Sequence, residues 1–231
     1  GSSVPGPGEA VGVYRLLAGN GYTQDGVTFT GVPVAVVPDE YNRPEDVTQS
    51  RTAYGFDNNP TQQIGWGDWC GTCHGDMHSA GGNYVHAVDE TLSGGTAGNY
   101  NDYVYTGNAT GSNLTSFLSL VPFARGGATG SDYTALAAQA LSDDTDLSGP
   151  GGADLVTCLT CHRAHASGFE YAIRWNPESE FLTYNGVWPG SDNGAPPQFA
   201  RGRTEAEMTT AYYERPPSTF STYQRSLCNK C

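Results

Sequence analysis

The chain of 231 residues is long enough for one or two ordinary domains and carries a formal net charge of −13. This charge argues against nucleic acid and anionic membrane surfaces as partners, because both repel an acidic protein. Hydrophobic residues make up only 37% of the chain, which is little apolar material to offset the conformational entropy lost on folding.

The N-terminal part is predicted to hold one β-hairpin between polar, irregular segments. Residues 1–10 are rich in Gly, Pro and Ser, which predicts an extended tail or linker. Residues 11–17 are apolar, Asp25-Gly26 is a turn signal, and residues 27–37 alternate with β-branched side chains, so a hairpin is predicted over 11–37. Residues 38–65 contain several prolines and are predicted to be an irregular loop.

The rest of the chain is predicted to form short helices joined by long loops. Helices are predicted at residues 112–123, 132–142, 169–175 and 223–231, and loops at 143–153 and 176–202. A further helix is predicted from Thr204 to about Arg215, since Thr204 and Glu207 have capping-box spacing. Residues 11–231 are predicted to be a single domain.

Three C-x-x-C pairs account for all six cysteines. The pattern C-x-x-C-H is the attachment signature of c-type haem: two thiols form thioethers to the haem vinyl groups, and the histidine binds the iron. We therefore predict three covalently attached c haems, which would also act as apolar core material. The pairs are Cys70/Cys73 followed by His74, Cys158/Cys161 followed by His162, and Cys228/Cys231, which closes the chain without a histidine.

The remaining histidines predict a second ligand for each iron. Beyond the two motif histidines, the chain contains His78, His86 and His165. Three spare histidines for three haems match six-coordinate iron with histidine on both faces, and this ligand set gives a lower potential than a His/Met pair. Met77 and Met208 are the only alternative thioether ligands.

We also predict that His165 ligates a different haem from the one bound by His162. If both residues lie on one helical turn, their Cβ atoms are only about 5–6 Å apart and point to the same side. Axial ligands, in contrast, approach an iron from opposite faces. The predicted partner of His165 is the haem at Cys228/Cys231, and the same reasoning applies to His74 and His78.

Two other uses of paired cysteines are weaker alternatives. Two C-x-x-C pairs can form a tetrahedral zinc site, but zinc chemistry does not require a histidine directly after each pair. A disulfide or a thioredoxin-like redox pair is disfavoured because no clear βαβ pattern accompanies the cysteines.

Several stretches resemble the filament-forming, outer-surface hexahaem c-type cytochromes of Geobacter relatives. The resemblance implies that the chain matches the C-terminal half of such a protein, with the last three of its six haems, histidine on both faces of each iron, and polymerisation into extracellular conducting filaments. The stretches are residues 12–17 (GVYRLL), 41–43 (YNR), 69–74 (WCGTCH), 119–123 (SLVPF), 158–169 (CLTCHRAHASGF) and 223–231 (YQRSLCNKC).

These features predict a multihaem c-type cytochrome, mostly irregular coil with short α-helices and a β-hairpin wrapped around a chain of haems. We predict an electron carrier and not an enzyme, because six-coordinate iron has no open position for a substrate. The predicted partners are identical subunits in a filament, redox proteins and extracellular metal oxides. The resemblance implies a location at the outer cell surface. Because haem is attached outside the cytoplasm, we also predict export through the periplasm. A soluble periplasmic shuttle and a multihaem reductase with one open haem remain alternatives.

Overall fold

The computed structural model describes residues 21, 23–24, 26–28, 33–38, 50–59, 62–75, 88–103, 109–164 and 167–227. Most of these residues lie in turns and irregular segments, and the predicted coil-rich fold with short helices is confirmed. The strands are β1 (Thr23–Gln24), β2 (Val27–Thr28), β3 (Ala35–Val36), β4 (Ala53–Tyr54), β5 (Asp57–Asn59), β6 (Gln62–Ile64), β7 (Glu90–Thr91) and β8 (Leu155–Val156). The α-helices are α1 (Trp66–Gly71), α2 (Ser93–Asn101), α3 (Gly127–Gly130), α4 (Tyr133–Ala137), α5 (Cys158–Cys161), α6 (Pro197–Ala200) and α7 (Glu205–Ala211). Single turns of 3-10 helix occur at Asn113–Thr115, Glu170–Ala172 and Pro217–Thr219.

The strands of the described residues form antiparallel pairs, β1–β2, β3–β4, β5–β6 and β7–β8. Ala124 joins two of these pairs, since it forms β-bridges to Tyr54 of β4 and to Leu155 of β8. The N–H of Ala124 donates to the carbonyl of Leu155 at 3.1 Å, and the N–H of Arg125 donates to that of Tyr54 at 2.7 Å. This small composite sheet holds the β7–β8 pair in place.

The predicted N-terminal hairpin is confirmed only as a much shorter one. β1 and β2 pair across positions 25 and 26, where Gly26 has a φ of 83°, a conformation that glycine adopts readily. Residues 27–37 are not one strand, because β3 pairs with β4 instead. The predicted strand at 11–17 and the tail at 1–10 lie outside the described residues.

The predicted loop at 38–65 is wrong in its second half, where β4, β5 and β6 form. β5 and β6 pair as antiparallel strands, with Asp57 opposite Ile64 and Asn59 opposite Gln62. Their sequences, DNN and QQI, lack the apolar alternation that marks a strand, so the pattern gave no signal.

The predicted helix at 132–142 is confirmed over its first part, as α4. Asp132 caps it, since its carboxylate accepts hydrogen bonds from the N–H groups of Thr134 at 2.9 Å and Ala135 at 3.2 Å. The predicted loop at 143–153 is also confirmed, because no helix or strand occurs there.

The predicted capping box opens α7. The N–H of Glu207 donates to Thr204 Oγ1 at 3.3 Å, and the N–H of Thr204 donates to Glu207 Oε2 at 2.8 Å. The helix ends at Ala211, short of the predicted Arg215, because Tyr213 and Glu214 have positive φ values of 57° and 62°.

Three other predicted helices do not form as expected. Over 112–123 only Asn113–Thr115 is helical, and the apolar run that follows is buried as coil, since Leu118, Leu120 and Val121 all enter the core. Over 169–175 a left-handed backbone interrupts the single turn Glu170–Ala172. At 223–226 the chain is not helical, and Arg225 forms a β-bridge to Phe181. Leu227 has 3-10 helical backbone, and residues 228–231 lie outside the described residues. The predicted loop at 176–202 contains the short α6, and the glycine-rich α2 was not predicted.

The main apolar cluster of the described residues lies mostly in the C-terminal half of the chain and centres on two aromatic rings. Trp188 is fully buried and stacks on Tyr212, with ring centroids 4.0 Å apart and planes inclined by 12°. Trp188 Nε1–H donates to the carbonyl of Arg215 at 3.1 Å, and Tyr212 Oη accepts from the N–H of Asn176 at 3.1 Å. Burial raises the pKa of Tyr212. This part of the protein therefore has an apolar core built from its own side chains. The other buried members are Tyr100, Leu118, Leu120, Val121, Phe169, Trp175, Leu182, Met208, Ala211, Phe220 and Leu227.

Within the described ranges, no helix has the length and apolar character that crossing a membrane requires.

Candidate functional site

The two complete C-x-x-C-H motifs adopt the same local structure. The first runs through the end of α1, and the second begins with α5. The N–H of His74 donates to the carbonyl of Cys70 at 3.0 Å, and the N–H of His162 donates to that of Cys158 at 2.8 Å. In both motifs, one helical turn therefore brings the histidine back to the first cysteine.

Asp89 holds the start of the helix that carries the first motif. Its carboxylate accepts hydrogen bonds from the N–H of Gly67 at 3.0 Å and the N–H of Asp68 at 2.9 Å. These are amides of the first turn of α1, which have no partner inside the helix. A Cβ at Gly65 would collide with the Asp89 carboxylate, so this close approach requires glycine.

The β7–β8 pair brings the two motifs together. Asp89 lies directly before β7, and its N–H donates to the carbonyl of Val156 in β8 at 2.6 Å. The residue after β8 is Thr157, whose N–H is bonded to Thr160 Oγ1 at 3.0 Å at the start of α5. The same short pair therefore anchors Asp89 beside α1 and leads into α5, and α1 packs against α5.

The sulfur atoms of the two motifs meet at this contact. The side chain of Cys70 is hydrogen-bonded to Cys158, and this bond together with burial raises the pKa of Cys70. Of the four described motif cysteines, Cys70, Cys158 and Cys161 are half-buried and Cys73 is exposed. Among the described residues, no group of three or more His, Cys, Asp or Glu side chains is arranged to hold a metal ion.

His162 is oriented by a backbone carbonyl. Its Nδ1 lies 2.7 Å from the carbonyl oxygen of Tyr171, so Nδ1 is the protonated nitrogen. This tautomer leaves the lone pair on Nε2, the nitrogen through which an imidazole held in this way coordinates a metal. His74, in the first motif, is exposed.

One geometric premise of the sequence analysis is wrong. α5 ends at Cys161, and His162 itself is extended, with φ −114° and ψ 153°. His162 therefore does not share a helical turn with residue 165. The remaining candidate ligands and cysteines lie outside the described residues: His78, His86, His165, Cys228, Cys231 and Met77. The other methionine, Met208, is buried in the apolar core.

Two residues that position the site were missed by sequence reasoning. Asp89 acts on α1 from a distant part of the chain, and no local pattern marks it as a cap. Tyr171 contributes only its backbone carbonyl to His162, which no side-chain motif can reveal.

No family model matches the chain. The chain is 42% identical over 233 residues to the C-type cytochrome OmcS of Geobacter sulfurreducens, covering 96% of this chain and 51% of that protein. It therefore spans about half the length of the curated relative it matches. Among solved structures, the Outer Membrane Cytochrome S filament of the same organism matches with a TM-score of 0.76 and 40% identity, covering 96% of this chain and 54% of that one. The OmcS nanowires seen by cryo-EM match with a TM-score of 0.74 and 39% identity, covering 100% of this chain and 56% of that one. Over about half the length of that protein, this chain therefore has an OmcS-like cytochrome fold.

Proposed function

We propose that this chain is an electron-transfer protein that carries covalently attached c haems and works as a subunit of an extracellular conducting filament. The similarity to a filament-forming C-type cytochrome supports this proposal. The proposed attachment sites are Cys70/Cys73 with His74, Cys158/Cys161 with His162, and Cys228/Cys231.

The contact between the two motifs is the observation that carries the proposal. Each thioether would fix one edge of a haem at its cysteine. Because Cys70 is hydrogen-bonded to Cys158, the two attachment points are adjacent in the fold. When bound, haem supplies reversible one-electron chemistry at its iron. The chain's part is to hold two such groups side by side, which favours transfer between them.

A buried donor beside the first motif fits a cofactor that brings hydrogen-bond acceptors. Within the described part of the chain, Trp66 Nε1 is buried without a hydrogen-bond partner. Trp66 belongs to α1, which bears the first motif. The carboxylates of haem are acceptors of the kind that such donors require.

The second axial ligands are proposed to be His78, His86 and His165, from the count of histidines alone. The binding of His165 to a haem other than the one at His162 stays a prediction. The argument from a shared helical turn no longer supports this prediction. We further propose that residues 11–231 act as one domain, that the chain is not an enzyme, and that redox proteins or extracellular metal oxides exchange electrons with it.

Denaturing mass spectrometry tests the proposal. The chain should carry the added mass of three haems, and the double variant Cys70→Ala/Cys73→Ala should carry exactly one haem fewer. Ser226→Ala, beside the third pair, is the matched control and should keep all three. A bare polypeptide mass would refute the cytochrome assignment.

Two further measurements separate the rival functions. Carbon monoxide binds only to an iron with an open or labile position, so uptake by the native protein would favour a reductase over a carrier. Electron micrographs of the secreted protein should show filaments, and dispersed particles would favour a soluble shuttle.

A further inference from the structure

The chain returns to the second motif through a tight turn at residues 170–173. The N–H of Ile173 donates to the carbonyl of Glu170 at 3.1 Å and closes the turn. Both central residues are left-handed: Tyr171 has φ 55° and ψ 21°, and Ala172 has φ 55°. Turns of this kind favour glycine or asparagine, and neither is present here. Such strain persists where the surrounding structure imposes it, often at functional sites.

The second motif imposes the turn through an antiparallel backbone contact. The N–H of Arg163 donates to the carbonyl of Ala172 at 2.7 Å, and the N–H of Arg174 donates to that of Cys161 at 2.8 Å. His162 and Ile173 form the β-bridge between these bonds. The strained turn is therefore fixed directly against the residues around His162.

Side chains on either side hold the turn to the motif. Arg174 Nε–H donates to the carbonyl of Leu159, inside the C-x-x-C loop, at 2.5 Å. Ser167 Oγ–H donates to the carbonyl of Ile173 at 2.5 Å. The Tyr171 side chain, in contrast, is 77% exposed, so the role of this residue lies in its backbone.

We propose that the turn at residues 170–173 is a positioning device that sets the orientation and electron donation of the His162 imidazole, and thereby lowers the reduction potential of the haem at Cys158/Cys161. The inference rests on the proposed function. The Tyr171 carbonyl accepts the Nδ1 proton at 2.7 Å, which gives the ring anionic character. A more strongly donating ligand stabilises ferric over ferrous iron, and a fixed carbonyl also fixes the plane of the ring.

The test compares two substitutions at Ala172 in the full haem-loaded protein. Ala172→Gly keeps the left-handed backbone accessible and should leave the protein unchanged. Ala172→Val disfavours that backbone, because β-branched residues rarely adopt positive φ, and should move the Tyr171 carbonyl away from Nδ1. For Ala172→Val we expect a shift of this haem's potential in the positive direction, and a changed low-spin electron paramagnetic resonance signal from the rotated imidazole. Neither change should reach the other haems.

A remote left-handed residue supplies the control. Asn185 has φ 53° in the turn closed by Tyr184 and Val187, so Asn185→Val imposes the same backbone stress elsewhere. If Ala172→Val fails to fold, Ser167→Ala loosens the turn more gently and should give a smaller shift of the same sign.

An unchanged potential and an unchanged resonance signal in Ala172→Val would overturn the proposal; if that variant does not fold, the same result in Ser167→Ala would do so. Equal effects of Ala172→Gly and Ala172→Val would also overturn it. So would a shift of this haem's potential in Asn185→Val as large as the shift in Ala172→Val. A wild-type protein without haem at Cys158/Cys161 would instead refute the proposed function.

Discussion

Replacing Asp89 should loosen the helix that carries the first motif. Asp89→Ala removes both acceptors of the Gly67 and Asp68 amides, bonded at 3.0 and 2.9 Å. Loss of such a cap costs about 1–2 kcal/mol. Asp89 also has a φ of 57°, which aspartate tolerates better than alanine, and this adds roughly 1 kcal/mol. Asp89→Asn keeps one acceptor oxygen and the tolerance for this backbone, so it should cost only about 1 kcal/mol.

Urea unfolding of the haem-loaded protein measures the total loss, and amide hydrogen exchange locates it. The amides of Gly67 and Asp68 should exchange about tenfold faster for each 1.4 kcal/mol of local stability lost. Asp132→Ala is the matched control, because Asp132 caps α4 through the same kind of bonds. It should lower stability by about 1 kcal/mol without changing exchange at the start of α1. Unchanged exchange at Gly67 and Asp68 in Asp89→Ala would refute the capping role.

Two further predictions concern the core and the response to acid. Tyr212→Phe leaves the buried N–H of Asn176 without its acceptor and should lower the free energy of unfolding by about 1–3 kcal/mol, with the denaturant midpoint as the measure; an unchanged midpoint would contradict it. Burial raises the pKa of Asp146, but hydrogen bonds from Ser148 and the charge of Arg51 outweigh burial and hold the pKa below its usual value. Ionised Asp146 therefore stabilises the fold above about pH 4, and this contribution is lost as the pH falls through the folded pKa. Unfolding measured between about pH 2 and 5 should show a flatter acid dependence in Asp146→Asn, and a slope equal to wild type would refute this assignment.

Two local signals in the sequence predicted local structure correctly. The Thr204–Glu207 capping box lies where the spacing placed it, because both partners of its hydrogen bonds are within one turn. The turn at Gly26 likewise follows from the residue itself. The paired-cysteine motifs could be found because their chemistry fixes both residue type and spacing.

Structure that depends on distant contacts could not be predicted. The run at residues 118–123 looks helical but is buried as coil, because the core takes up its side chains from several sides. The left-handed turn at Tyr171 and Ala172 contains no glycine, so the sequence gives no signal for it. The contact between the two motifs depends on the pairing of β7 with β8, strands of two residues each that contain no signal for each other.

The dependence on β7–β8 has a kinetic consequence. Each C-x-x-C-H turn is closed by a bond between near neighbours and can form early, whereas pairing of Glu90 with Val156 must close a long loop. We therefore expect the two motifs to exist first as separate turns and to dock late in folding. An attachment enzyme acting in that interval meets each cysteine pair alone. If haem is attached in that interval, as the proposed function requires, the Cys70 and Cys158 thiols react while they are still apart and before each becomes half-buried.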